Sequence, residues 1–212
     1  MLSSNTIDII KISNHHSLTQ ADVVAVEEPI EIKLSFGAVE QRQKKSVAIT
    51  MRTPGNDTEL ALGFLFTEGV INRIDAVQDI QYETLNTSNS NDQNVVIVSL
   101  KPDAKPVINQ LERNFYMSSS CGVCGKSSIA AISTTSNQVL DPVFPIVAAS
   151  IFFDLPTKLR KTQAVFEHTG GLHAAALFDT EGNLLLVRED VGRHNALDKL
   201  IGAALKKFGF PL

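Results

Sequence analysis

The chain has 212 residues and two cysteines, which stand two residues apart in Ser118-Ser119-Ser120-Cys121-Gly122-Val123-Cys124-Gly125-Lys126. Serines precede the pair, glycines flank Val123 and a lysine follows. Small neighbours leave sulfur uncovered and let the backbone take positive φ. A buried structural cysteine sits instead among bulky apolar side chains. Lys126 favours thiolate over thiol, and the thiolate is the nucleophile. A helix starting at Ser127 would stabilise negative charge at the sulfurs by ~0.3–1 kcal/mol, which by itself moves a thiol pKa by less than about one unit. Three chemistries are open to such a pair: incidental loop thiols, half of a four-ligand zinc site, or a reactive sulfur centre.

A second concentration of reactive side chains is Arg188-Glu189-Asp190-Val191-Gly192-Arg193-His194-Asn195. Two arginines, two acids, a histidine and an asparagine exceed what solubility requires of one loop. The cluster is placed between an apolar strand and an amphipathic helix, where open α/β sheets hold their ligands. A third segment, Thr169-Gly170-Gly171-Leu172-His173, carries two glycines that can end a helix and admit a ligand to the backbone. His15-His16 is adjacent in sequence, so its side chains point apart and a shared metal is not expected; a surface loop is.

The elements that must position these residues follow from periodicity. Ile30, Ile32, Leu34 and Phe36 alternate with Glu31, Lys33 and Ser35, the pattern of a half-buried strand, and Val47–Met51 reads as its partner. Asn56 with Glu59 three residues on has the form of a capping box, opening a helix through Leu60, Phe64 and Leu65 that Gly69 closes. Arg52, beside this turn, reads as an ordinary exposed arginine, with a ligand contact as the alternative. Residues 84–94 form a polar hairpin tip and Val95–Leu100 a strand. Pro156 is expected to start a helix running through Leu159, Ala164 and Phe166. Ala174–Phe178 and Leu184–Val187 are continuous apolar runs, expected as strands covered on both faces. Leu197, Leu200, Ile201, Ala204, Leu205 and Phe208 mark the last helix, started by Asn195 and Asp198.

Bulk composition narrows the function classes. The hydrophobic fraction of 43% and charged fraction of 20% are those of a folded soluble chain,. A net charge of -4 argues against nucleic acid as the main partner,. No apolar stretch approaches the ~20 residues needed for membrane insertion, the first residues lack a signal-peptide pattern, and two cysteines are too few for a secreted disulfide scaffold. A cytoplasmic location is expected.

Taken together, Ser119–Lys126, Thr169–Ala175 and Arg188-Glu189-Asp190-Val191-Gly192-Arg193-His194-Asn195-Ala196-Leu197-Asp198-Lys199 resemble the FdhD/NarQ family, the formate dehydrogenase accessory sulfurtransferases. Met51–Gly55, Leu60–Leu65 and Glu68-Gly69 match its amino-terminal pattern, and the resemblance runs from about Glu28 to Gly202. It implies a sulfurtransferase that takes persulfide sulfur from a cysteine desulfurase. The sulfur passes to the bis-guanine-dinucleotide form of the molybdenum (or tungsten) cofactor, which is needed by formate dehydrogenase. By position Cys121 matches the persulfide-bearing cysteine and Cys124 its companion. The implied fold is α/β (α+β): a cytidine-deaminase-like three-layer domain, residues 116–212, preceded by a smaller strand-rich amino-terminal subdomain, residues 1–115, in a homodimer. Relatives continue past the helix ending at Phe208, so the carboxy-terminal domain is expected to be truncated here.

Residue chemistry then suggests a cofactor-binding set. Gly170 and Gly171 would admit phosphates, and Arg188, Arg193 and His194 would bind phosphate or guanine edges. Asp190 would orient an arginine, and His173 and Asn195 complete the set; guanine nucleotides such as GDP are the expected ligands. No resident metal is assigned. A zinc deaminase is the alternative suggested by His173 and the cysteines, but it needs a glutamate two residues after the histidine, and that position is Ala175. A structural zinc on Cys121, Cys124, His173 and His194, and a non-catalytic cofactor chaperone, are the other readings.

Overall fold

The computed structural model describes residues 3–13, 16–83, 94–108 and 143–209. The expected cysteine loop, the helix at Ser127 and residues 84–93 of the polar hairpin tip lie outside them, as does His15.

The alternation at Ile30, Ile32 and Leu34 becomes β3 (Glu28–Phe36), where all three side chains are fully buried. It pairs antiparallel with β4 (Gln43–Arg52) and parallel with β6 (Val95–Leu100). β5 (Val77–Tyr82) closes the far edge, giving a four-stranded sheet of order β4-β3-β6-β5. Parallel strands need a crossover, and here the connection contains β4, α1 (Asp57–Thr67) and β5. Residues Leu60–Leu65 of α1 are all buried. A helix apolar on every side must be covered on every side, and α1 is: the sheet lies under it and α4 (Arg193–Phe208) over it.

The α1–α4 crossing is made by glycine. A Cβ on Gly63 would lie 1.9 Å from the carbonyl oxygen of Asp198, and one on Gly202 would lie 2.0 Å from that of Glu59. Leu205 and Ile201 of α4 reach into the sheet's own core, beside Leu65, Val98 and Leu100.

The opening of α1 corrects the expected capping box. Asn56 is left-handed, with φ 58, and its side chain makes no cap; its carbonyl accepts from Glu59 and Leu60. Gly69 ends the helix as expected, at φ 68, donating to Phe66.

The amino-terminal segment is also more ordered than expected. β1 (Ser4–Ser13) and β2 (His16–Ala25) form an antiparallel hairpin, so His16 begins a strand rather than sitting in a loop. Its apolar residues do not follow one face: Ile10 and Ile12 are exposed on one side, Leu18 on the other.

In the second half Pro156 lies inside a helix instead of starting one. α2 (Ala149–Arg160) is followed by a separate short helix, α3 (Ala164–Thr169). Proline forfeits one backbone bond in a helix interior. The acceptor it leaves is on Phe152, which is exposed and so open to water. β7 (His173–Phe178) and β8 (Leu184–Asp190) form an antiparallel pair. α4 packs on both strands, while α2 touches β8 only lightly. The apolar runs are therefore half-buried, not enclosed on both faces, and Leu185 is exposed. The architecture is mixed α/β. Among the described residues no helix is long and apolar enough to cross a membrane.

Candidate functional site

The loop between β8 and α4 is built on a buried carboxylate. Asp190 Oδ1 accepts from the Gly192 amide at 2.8 Å and from Asn195 Nδ2 at 3.1 Å. Its Oδ2 accepts from the Thr53 amide at 3.1 Å and pairs with Lys199 Nζ at 2.6 Å. Lys199 also donates to the Thr53 carbonyl at 2.8 Å, and Asn195 to the Met51 carbonyl at 2.7 Å. The Thr53 hydroxyl accepts from the Val191 amide at 3.2 Å. The end of β4 and the start of α4 are thus joined through one saturated polar network, in which Asp190 and Lys199 are both fully buried. Asp190 pairs with a lysine, not with the arginine expected from sequence.

The flanking charges are also engaged. Arg188 makes a two-pronged pair with Glu59 of α1, Nε to Oε2 at 2.6 Å and NH2 to Oε1 at 2.8 Å. The hydrogen bond to Glu59 raises the arginine pKa further above its already high ordinary value. Glu189 accepts from the amides of Val165 and Phe166 and so caps α3, a favourable place for negative charge.

What stays open lies at the same end of the β7–β8 sheet. α4 has Gly192 as its N-cap, no side-chain cap and no acidic residue in its first turn. A helix start of this kind carries backbone donors without intrahelical acceptors. Arg193 is exposed there, with no ion pair or side-chain hydrogen bond among the described residues. His194 is half-buried and its Nδ1 is buried without a partner in that same set. His173 pairs in register with Asp190, at the mouth of the loop. Gly170 is left-handed at φ 67, caps α3 by donating to Phe166 at 2.7 Å, and has open space where a Cβ would stand. Gly171 is similarly uncrowded, with Ala25 of the hairpin as neighbour at 3.9 Å.

Arg52, expected on the surface, is fully buried. Its Nε and NH2 bind Asp57 at 3.1 Å each, and it also reaches Glu28 and Asn94. Tyr82 donates to the same Asp57 at 3.4 Å. Burial, then the Asp57 charge, raises the tyrosine pKa. This is a framework cluster under the β4–α1 turn.

Cys121 and Cys124 lie outside the described residues, so the structure places the helix start but not the sulfurs. No group of three or more metal-ligating side chains gathers among the described residues. Residues that sequence reasoning missed are Glu59, Thr53 and Lys199. Lys199 had a signal: it sits three residues after Ala196 and four before Ala203, on the apolar stripe of α4. A cation in that stripe needs a buried partner.

The fold and these clusters define the class: a mixed α/β protein carrying a Cys-x-x-Cys segment and a polar strand-to-helix loop at one sheet end. Comparison identifies the family. Residues 25–208 match the model of the FdhD/NarQ family, and the chain belongs to it. It is 46% identical over 206 residues to a sulfur carrier protein FdhD of Streptomyces avermitilis, covering 96% of this chain and 70% of that protein. It is 40% identical over 204 residues to the protein of the same name from Saccharolobus solfataricus, again covering 96% and 70%. Among solved structures, one described as a formate dehydrogenase accessory protein from Desulfotalea psychrophila superposes with a TM-score of 0.67 at 20% identity, over 96% of this chain and 70% of that one. That likeness shows the fold.

Proposed function

We propose that this chain is a sulfur carrier serving formate dehydrogenase maturation, with Cys121 as the atom that bears the sulfur. Cys121 thiolate attacks the outer sulfur of a desulfurase cysteine persulfide, and the desulfurase thiolate leaves. Sulfur moves without net oxidation or reduction. The recipient is the bis-guanine-dinucleotide form of the molybdenum or tungsten cofactor, held as cargo. Cys124 then attacks Sγ of Cys121, expels the outer sulfur as hydrosulfide toward the metal and closes a disulfide, which a cellular dithiol reduces. The observation carrying this reading is the family match over 25–208, which encloses the Cys-x-x-Cys segment and the open α4 start.

The cofactor contacts expected from sequence divide in two. Arg193, His194, His173, Gly170 and Gly171 are the groups available to phosphate and guanine, at one end of the β7–β8 sheet. Arg188, Asp190 and Asn195 serve the frame that holds them. The protein works in the cytoplasm as a homodimer, with a cysteine desulfurase and formate dehydrogenase as partners.

The test is to incubate the chain with a cysteine desulfurase and cysteine, then weigh it and assay cyanide-labile sulfur. The wild-type chain gains the mass of one sulfur, and Cys121→Ala gains none. Equal loading of Cys121→Ala overturns the assignment.

A further inference from the structure

We propose that the outer edge of β1 pairs antiparallel with β1 of a second copy of this chain, about a two-fold axis at Ile9. This rests on the homodimer reading and names its surface. The β1–β2 register runs unbroken from Ser4 opposite Ala25 to Ser13 opposite His16. β2 leans on α3, yet Ile10, Ile12 and Leu18 further out are 68%, 76% and 63% exposed. A two-stranded hairpin with so little support is marginal in water. The free side of β1 is also undefended. Among the described residues its one strand neighbour is β2, and Ser4–Ser13 holds a single lysine, no proline and no bulge. Proteins that keep a long edge unpaired block it with such devices. On β2 the Val23 amide is already taken by the Asp22 carboxylate at 2.8 Å.

An identical strand fits this edge. Residues opposite one another in a sheet share a face, so about a two-fold normal to the sheet β1 meets itself only with odd positions against odd and even against even. Two such registers lose just one of the ten residues; shorter overlaps forfeit ladder hydrogen bonds. One of the two sets Asp8 against the partner's Asp8, and like charges directly opposite repel. The other sets Ile9 against the partner's Ile9 and Ile7 against the partner's Lys11. Because Asp22 stands opposite Ile7 and Leu18 opposite Lys11, the row across both hairpins then reads Asp22, Ile7, the partner's Lys11, the partner's Leu18. Opposite charges share that row, and Ile7, Ile9 and Leu18 of both copies form one apolar stripe. The contact is self-complementary, as a closed two-fold interface must be.

The experiment is sedimentation equilibrium on the full chain. Wild-type protein is dimeric. Ile9→Lys and Ile9→Glu each set like charges on the axis and raise the dimer dissociation constant about a hundredfold. Mixed in equal amounts, the two variants dimerise again, to within about fivefold of wild type, which also shows that each is folded. Variants that dimerise alone as well as wild type overturn the inference and leave the homodimer reading standing. Variants that stay monomeric when mixed overturn it too. A monomeric wild-type chain removes the homodimer reading and this inference with it, and leaves the β1 edge to a different protein.

Discussion

Gly63 and Gly202 each face the other helix's backbone across the α1–α4 crossing, the first against the carbonyl of Asp198 and the second against that of Glu59. Glu59 precedes Gly63 by one turn, as Asp198 precedes Gly202, so the contact repeats itself with the helices antiparallel. Neither obstruction is a movable side chain tip. Gly63→Ala and Gly202→Ala each push the helices apart and lower unfolding free energy by about 2–3 kcal/mol. Urea unfolding should show a reduced midpoint with an unchanged slope.

Arg52 has Asp57 as its closest buried anion. Removing one member of such a pair strands the other away from water. Asp57→Ala is expected to cost ~3–5 kcal/mol. Arg52→Met/Asp57→Leu, which removes both charges, should cost less in the same thermal melt.

Asp198 makes stability depend on pH. Burial raises its pKa to about 7, with Glu68 adding to the rise and the Thr67 hydroxyl opposing it. The folded chain keeps this proton to near neutrality, whereas the unfolded chain releases it near the ordinary carboxyl value of 3.8. Between those values the folded state binds more protons, so stability falls as pH rises and levels off above 7. Asp198→Asn keeps an acceptor for Thr67 and abolishes this slope. The variant should be more stable than wild type at pH 8, by about 4 kcal/mol, and show no such advantage at pH 4. Urea titrations at the two pH values read the difference.

Arg193 is exposed and carries no framework contact among the described residues. Arg193→Ala should therefore leave the melting temperature within about one degree, as for a surface substitution. On the nucleotide reading proposed above, it should still weaken GDP binding about tenfold, as loss of a charged phosphate contact would. The salt dependence of GDP binding should fall with it.

The core strands and the last helix were legible because their signals are local. Alternation at Ile30, Ile32 and Leu34 fixes β3, and the spacing Leu200, Ile201, Ala204, Leu205 fixes α4, although Leu197 and Phe208 of the expected stripe are exposed and the helix opens at Arg193, before Asn195. Failures share one cause, which is partners distant in sequence. Arg52 reads as exposed because Asp57, Glu28 and Asn94 gather around it, and bury it, only after the β3–β4 pairing and the β4–α1 turn are made. Asp190 reads as an arginine's partner because arginines flank it, yet its cation lies nine residues on, inside α4. The capping box failed because Glu59 is taken by Arg188, 129 residues away. Pro156 misled because an exposed acceptor makes a mid-helix proline tolerable.

The burial of α1 on every side means that the polypeptide cannot be dissected at its midpoint. A piece beginning at residue 116 would show Ile201 and Leu205 to water where the α1 core had covered them, and would aggregate through them,. A piece ending at residue 115 would lose the wedge that Leu205 and Ile201 drive into its interior. Co-expressed, the two pieces should find each other, because each holds the missing lining of the other.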